Sequence, residues 1–160
     1  MNSPSRQHLL IGAWLVLLLV AYFYYSRPAV SRYPNRAAVI AAGLDRAEPL
    51  PHSLTAAATN IQLETWKPGR YKYVRRYWAF QVPFADGDSI RRSAPPLHLA
   101  AALRTFDRPR VLPDWPAALT ESTGDTAGYA GVYDPQQRTC VVVSPSRTWV
   151  YVWPCRLPPN

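Results

Sequence analysis

Residues Leu9 to Tyr25, LLIGAWLVLLLVAYFYY, form one unbroken apolar run with no charge in it. At ~1.5 Å per residue, a helix of this length covers roughly 26 Å, enough to cross a hydrocarbon core of about 30 Å once Ser26 and the flanking polar groups snorkel. A buried core helix fits the run poorly because, Gly12 apart, it is apolar on every side. A cleaved signal peptide fits poorly too. Its apolar region would be shorter, and small residues would stand where Tyr22, Phe23, Tyr24 and Tyr25 do. These aromatics suit a membrane–water interface. The run therefore predicts an uncleaved, single-pass transmembrane helix over 9–25 after a short tail, 1–8.

Two signals bear on sidedness, and they disagree. Arg27, Arg32 and Arg36 follow the run while Arg6 and the terminal amine precede it, which by the positive-inside rule holds the rest of the chain in the cytoplasm. The only two cysteines, Cys140 and Cys155, sit together near the C-terminus as an intradomain disulfide requires, and long domains translocate largely regardless of flanking charge. The expectation is a bacterial inner-membrane protein with its C-terminal domain in the periplasm.

Seventeen prolines argue for many turns and few long helices. Arg27 to Pro34 reads as an extended linker, since each proline biases the residue before it away from helix. Asn35 can cap a short helix through Ala42, with Gly43 at its end. The segment Leu54–Leu63 keeps helical spacing of its apolar residues but contains indifferent helix formers, so its type is left open. Tyr71 to Val82, launched by the Lys67-Pro68-Gly69-Arg70 turn, has strand composition. Its alternation slips, with Tyr71 and Tyr73 on one parity and Trp78, Phe80 and Val82 on the other, so a bulge is expected near Val74–Arg76. A turn is expected at Ala85–Asp88. A helix over 97–106 follows Pro95-Pro96, with Leu99, Leu103 and Phe106 in one stripe. Val111 to Pro116 reads as a proline-punctuated loop. The last third reads as a meander, with strands at 128–133, 139–143 and 148–153 joined by turns at 134–137 and 144–147. Trp149, Tyr151 and Trp153 alternate with Val150 and Val152, so this strand has two apolar faces, one for the core and one that needs a second cover.

The predicted organisation is thus a transmembrane helix, a Pro-rich linker with a short helix (26–51), and a small α+β domain (52–160) dominated by antiparallel strands. If Val143 pairs with Thr148, Cys140 lies opposite Tyr151. A Cys140–Cys155 bridge then requires the chain to fold back after Trp153-Pro154.

Motifs for catalysis are lacking. There is no HExxH, GxSxG, GxGxxG, phosphate loop or haem-attachment sequence. His8, His52 and His98 have no ligand spacing, and two cysteines without CxxC make a zinc site a poor reading. Asp86 and Asp88 flank Gly87 like part of a calcium loop, but Leu97 stands where the closing Glu would be. No cofactor and no metal is expected, and a hydrolase using Asp86, Asp88 or His98 is the weakest candidate.

One polar constellation remains. The chain has sixteen arginines, two lysines and ten acids, and the excess is local: Arg27 to Arg92 holds eleven basic residues against five acidic. Within it Lys67, Arg70, Lys72, Arg75 and Arg76 interleave with Trp66, Tyr71, Tyr73, Tyr77 and Trp78, and no acid interrupts them. Such mixtures suit single-stranded nucleic acid, anionic lipid or an acidic protein surface. A periplasmic domain disfavours nucleic acid. Together with Trp149, Tyr151 and Trp153, these residues form the expected partner-binding set. The expected function is a non-catalytic accessory or assembly subunit of a larger membrane complex, for example an energy-transducing one, whose partners are other membrane-protein subunits and the bilayer. An immunity or inhibitor protein against a toxin or hydrolase is the alternative.

Overall fold

The computed structural model describes residues 4–25, 29–47, 49–66, 74–93, 96–97, 99–104, 115–116, 119 and 126–155. Its centre is an antiparallel sheet. The strands are β1 (Ala29–Asn35), β2 (Thr59–Trp66), β3 (Arg75–Gln81), β4 (Pro96–Leu97), β5 (Ala130–Asp134), β6 (Thr139–Val143) and β7 (Trp149–Pro154). Their spatial order is β1-β2-β3-β7-β6-β5-β4, so the sheet is six full strands with a two-residue strand at one edge. The helices are short apart from the first: α1 (Pro4–Tyr25), α2 (Arg36–Ala41), α3 (Leu44–Ala47), α4 (Phe84–Arg92) and α5 (Leu99–Arg104).

The apolar run does fold as a helix, but no helix among the described residues is long and apolar enough to cross a membrane. The predicted transmembrane span is therefore corrected. With it fall the single-pass inner-membrane location and the periplasmic placement derived from it. The helix starts on Pro4, Ser5, Arg6, Gln7 and His8, so more than its first turn is polar in sequence.

Several other segments differ from expectation for local reasons. Arg27 to Pro34 was expected to be linker, yet residues from Ala29 pair with β2 in register Tyr33↔Ile61 and Ser31↔Leu63. The extended bias of a proline-flanked segment suits an edge strand as well as a linker. Residues 59–63 go to β2, because Ile61 and Leu63 alternate onto one buried face with Gln62 on the other. The sheet's irregularity falls here, between Thr59 and Gln62, where Asn60 takes a left-handed φ of 47°. Tyr71 and Tyr73, on which the expected bulge at Val74–Arg76 depended, lie outside the described residues. Ala85–Asp88 is helix, not turn. Pro83 opens α4, Asp86 stands in its first turn, and Arg91 and Arg92 stand in its last, so the charges complement the helix dipole. Pro96 and Leu97 pair with Val132 and Gly131 instead of starting the next helix. Two expectations agree with the structure in detail. The Asn35 carboxamide oxygen accepts from the Ala38 N–H at 3.0 Å, and Gly43 follows α2 with φ 73°.

Strand alternation divides the apolar residues between two cores. On one face Ile61, Leu63, Trp78, Phe80, Val150 and Val152 pack with Val141 and Val143 beneath Val39 of α2, Ile90 of α4, Leu54 and Ala58. On the other, Tyr77, Ala79, Val142, Tyr151 and Trp153 lie under Ala102 of α5, Trp115 and Leu119. Trp115 is the keystone of this second layer, with ring centroids 5.2 Å from Tyr151, 5.7 Å from Trp153 and 6.5 Å from Tyr77. Burial at the rim of this layer pushes the Tyr129 phenol above its usual range.

The β6–β7 register is Val143↔Val150, two residues from the pairing assumed on sequence, and so Cys140 lies opposite Trp153. Cys155 follows immediately, its N–H donating to the Arg138 carbonyl at 3.1 Å. It needs no fold-back to reach Cys140: the Cα atoms stand 5.6 Å apart and the two are disulfide-bonded. The bridge closes a loop of 15 residues. Replacing both cysteines with alanine is expected to remove about 3 kcal/mol of stability on the chain-entropy account, read as a lower urea midpoint that reductant reproduces in the native chain.

The β6–β7 loop is held by α4. Arg147 has a left-handed φ of 58°, and its guanidinium donates to Asp88 Oδ1 at 2.8 Å and stacks over Phe84. Its carbonyl comes so close to Gly87 that a Cβ there would overlap it. Alanine at an ordinary helical glycine stabilises by ~1 kcal/mol. Here Gly87→Ala is expected to destabilise, by about 2–3 kcal/mol from overpacking, and chemical denaturation will show the sign.

Candidate functional site

The described residues of the basic–aromatic stretch do not share one surface. Trp66 and Arg75 are paired at the ends of β2 and β3. Lys67, Arg70, Tyr71, Lys72 and Tyr73 lie outside the described residues. Within β3 the two-residue period sends neighbours to opposite faces, and Tyr77 (2% exposed) and Trp78 (4%) each disappear into a different core. Tyr151 and Trp153 are equally buried beneath Trp115, so the second cover that their face requires comes from the chain itself. Arg75, Arg76 and Trp149 are the members with partial exposure, and Trp149 stacks on Tyr151 at 6.2 Å.

Concavity lies instead where sequence reasoning did not look, on either side of the β5–β6 turn. Asp134 ends β5, and its Oδ1 accepts from the Gln136 and Gln137 N–H groups at 2.9 and 3.1 Å, a local turn closure natural to Asp before Pro135. Its Oδ2 meets His52 Nδ1 at 2.9 Å. The Gln137 side chain accepts from the His52 N–H at 3.2 Å and donates to the Leu50 carbonyl at 2.8 Å. Farther along, Thr55 Oγ1 donates to Asp86 Oδ2 on α4 at 2.7 Å. Residues 50–55 are thereby stitched to both the turn and the helix.

The larger cleft, about 550 Å³, lies between this segment, α4 and β5. Its polar lining includes His52, Ser53, Thr55, Asp86, Asp134 and Gln136, and Ile90, Val132 and Val141 are among its apolar part. A histidine oriented by a carboxylate is half of a nucleophile-activating relay. The other half is not assembled, because the described contacts of the His52 ring end at Asp134, and Asp86 is engaged by Thr55. His98 lies outside the described residues, His8 is on α1, and Asp88 is shared between Arg92 and Arg147. No group of three His, Cys, Asp or Glu among the described residues could hold a metal. Asp86 and Asp88, set aside on sequence as a calcium loop, both lie on α4.

The smaller cleft, about 310 Å³, lies across the same turn, with Gln136 common to both. It gathers Arg76 and Trp78 from β3, Val152 and Pro154 from β7, Thr139 from β6, and Pro49 with Pro51 from the opposite wall. Among the described residues of the sequence-predicted set, Arg76 is the charged one that lines a cleft.

Asp134 is the joint on which both clefts depend. Asp134→Ala removes three hydrogen bonds and is expected to cost about 2 kcal/mol, whereas Asp134→Asn keeps the turn closure and costs less; urea unfolding of the two variants side by side checks the order. No protein-family model, curated protein or solved structure matches this chain, so its function rests on its own geometry.

Proposed function

We propose that this protein is a non-catalytic accessory subunit that docks on a larger protein assembly. One observation carries the reading: from Leu10 to Tyr22, α1 is apolar all round and exposed. Leu10, Ile11, Trp14, Leu15, Leu18 and Val20 are each more than half exposed, as are Val16, Leu17, Leu19 and Tyr22. Burying apolar area contributes ~25 cal/mol per Å², so a helix with this surface has a strong drive to be covered by a partner. Helix-in-groove recognition by an apolar cleft of another protein fits its shape and length. The disulfide-stapled sheet supports the same reading. Both its faces are filled, Tyr77, Trp78, Tyr151 and Trp153 pack inward, and the His52–Asp134 and Thr55–Asp86 pairs tie residues 50–55 to the turn and to α4.

The test is site-specific photo-crosslinking in cells from Trp14 and Leu18 on α1, with Gln136 at the β5–β6 turn as control. The expected result is one adduct of fixed mass from the α1 positions, lost when Leu15 and Leu18 are both changed to Glu. Crosslinks to lipid alone, or a chain that sediments as a free monomer while the α1 positions give no adduct, would overturn the proposal.

A further inference from the structure

We infer that the smaller cleft is a binding site for a carboxylate attached to a small apolar body. Its lining separates by chemistry. Pro49, Pro51, Trp78, Val152 and Pro154 supply apolar walls, Gln136 and Gln137 are neutral polar groups at its edge, and among the described residues that line it Arg76 is the charged one. The volume, about 310 Å³, sits at the small end of ligand pockets, the size of one amino-acid residue or a short acid.

Two observations point to the anionic group. Arg76 lies on the same face of β3 as Trp78, so the sheet itself holds the guanidinium beside an apolar wall, where a charge-assisted hydrogen bond is strengthened by the low local dielectric. Arg76 already has an interaction within the chain, and its five N–H donors can serve more than one acceptor. The second observation is Thr139. Its Oγ1 is buried and has no hydrogen-bond partner among the described residues, although Thr139 lines the same cleft. A hydroxyl in that state is a donor waiting for an acceptor. A guanidinium fork beside a hydroxyl is matched to the two oxygens of a carboxylate. The carboxylate can belong to the C-terminal residue of a peptide or to a free short-chain acid, which are two sources of one chemistry. The site does not rest on the docking proposal, since it needs no partner bound to α1.

Calorimetric titration of the full, oxidised chain with N-acetyl-leucine, N-acetyl-leucinamide and 4-methylpentanoate tests it. The acid N-acetyl-leucine is expected to bind at least ~10-fold tighter than its amide, the worth of one charge-assisted contact. Arg76→Gln is expected to abolish that preference. Thr139→Val, close to isosteric, is expected to weaken the acid about threefold and leave the amide unchanged, on the scale of one neutral hydrogen bond. Circular dichroism and the intact disulfide confirm folding of each variant, and Thr139→Val serves alone if Arg76→Gln does not fold. Tighter binding of N-acetyl-leucine than of 4-methylpentanoate assigns the site to peptide C-termini, and the reverse order or equality assigns it to free acids. Equal binding of acid and amide, no binding at ~10 mM, or a preference that survives in both variants would overturn the inference.

Discussion

β7 is the strand on which the domain is built. It is hydrogen-bonded on one side to β3 and on the other to β6, and four of its six residues are buried. Val150 and Val152 point into one core, and Tyr151 and Trp153 into the other. A strand apolar on both faces at the centre of an antiparallel sheet forbids the usual arrangement of one dry and one wet face. Each face has to be roofed. The chain does this with short pieces, α2, α4 and residues 54–58 on one side, α5, Trp115 and Leu119 on the other. Seventeen prolines are compatible with that solution because none of the roofing elements needs to be long.

Holding many short pieces in place demands crosslinks, and the structure has them at both ends of the β6–β7 hairpin. At the open end the Cys140–Cys155 disulfide ties β6 to the residue that follows β7. At the loop end Ser144, Ser146 and Thr148 pass hydrogen bonds along their hydroxyls, and Arg147 reaches across to Asp88. The left-handed backbone at Arg147 is tolerable because two side-chain contacts and the close approach to Gly87 fix it from outside the loop. The strain sits at a structural joint here, not at a reacting centre.

What could be read from sequence was local. The meander turns at 134–137 and 144–147, the Asn35 cap and the alternation of β7 are each set by residues within a few positions, and the structure has all three. What could not be read was tertiary. β1 looks like a linker because only its pairing with β2 makes it a strand. Trp115 stands between prolines in an irregular segment, yet three aromatic partners from β3 and β7 make it the centre of a core. The basic–aromatic stretch looked like one surface because its residues are adjacent, and strand geometry separates adjacent residues. The clefts escaped notice for the same reason, since His52, Asp86 and Asp134 are brought together only by the fold. For α1, composition identified a helix. It did not by itself identify a membrane span, which depends on length and on what flanks the apolar stretch.

This division bears on where recognition can occur. In β7 the rings of Tyr151 and Trp153 are taken up by one internal core, with Trp149 at its rim, and Nδ1 of His52 is taken up by Asp134. Among the groups the fold leaves incompletely used are the apolar circumference of α1 and the Thr139 hydroxyl near Arg76. They differ in kind. The first offers area without direction, which gives affinity and little selectivity. The second offers one charge and one hydroxyl at fixed positions, which gives selectivity and little affinity. A docking subunit needs both, and this chain carries them on separate elements, so each can be altered while the other is left intact.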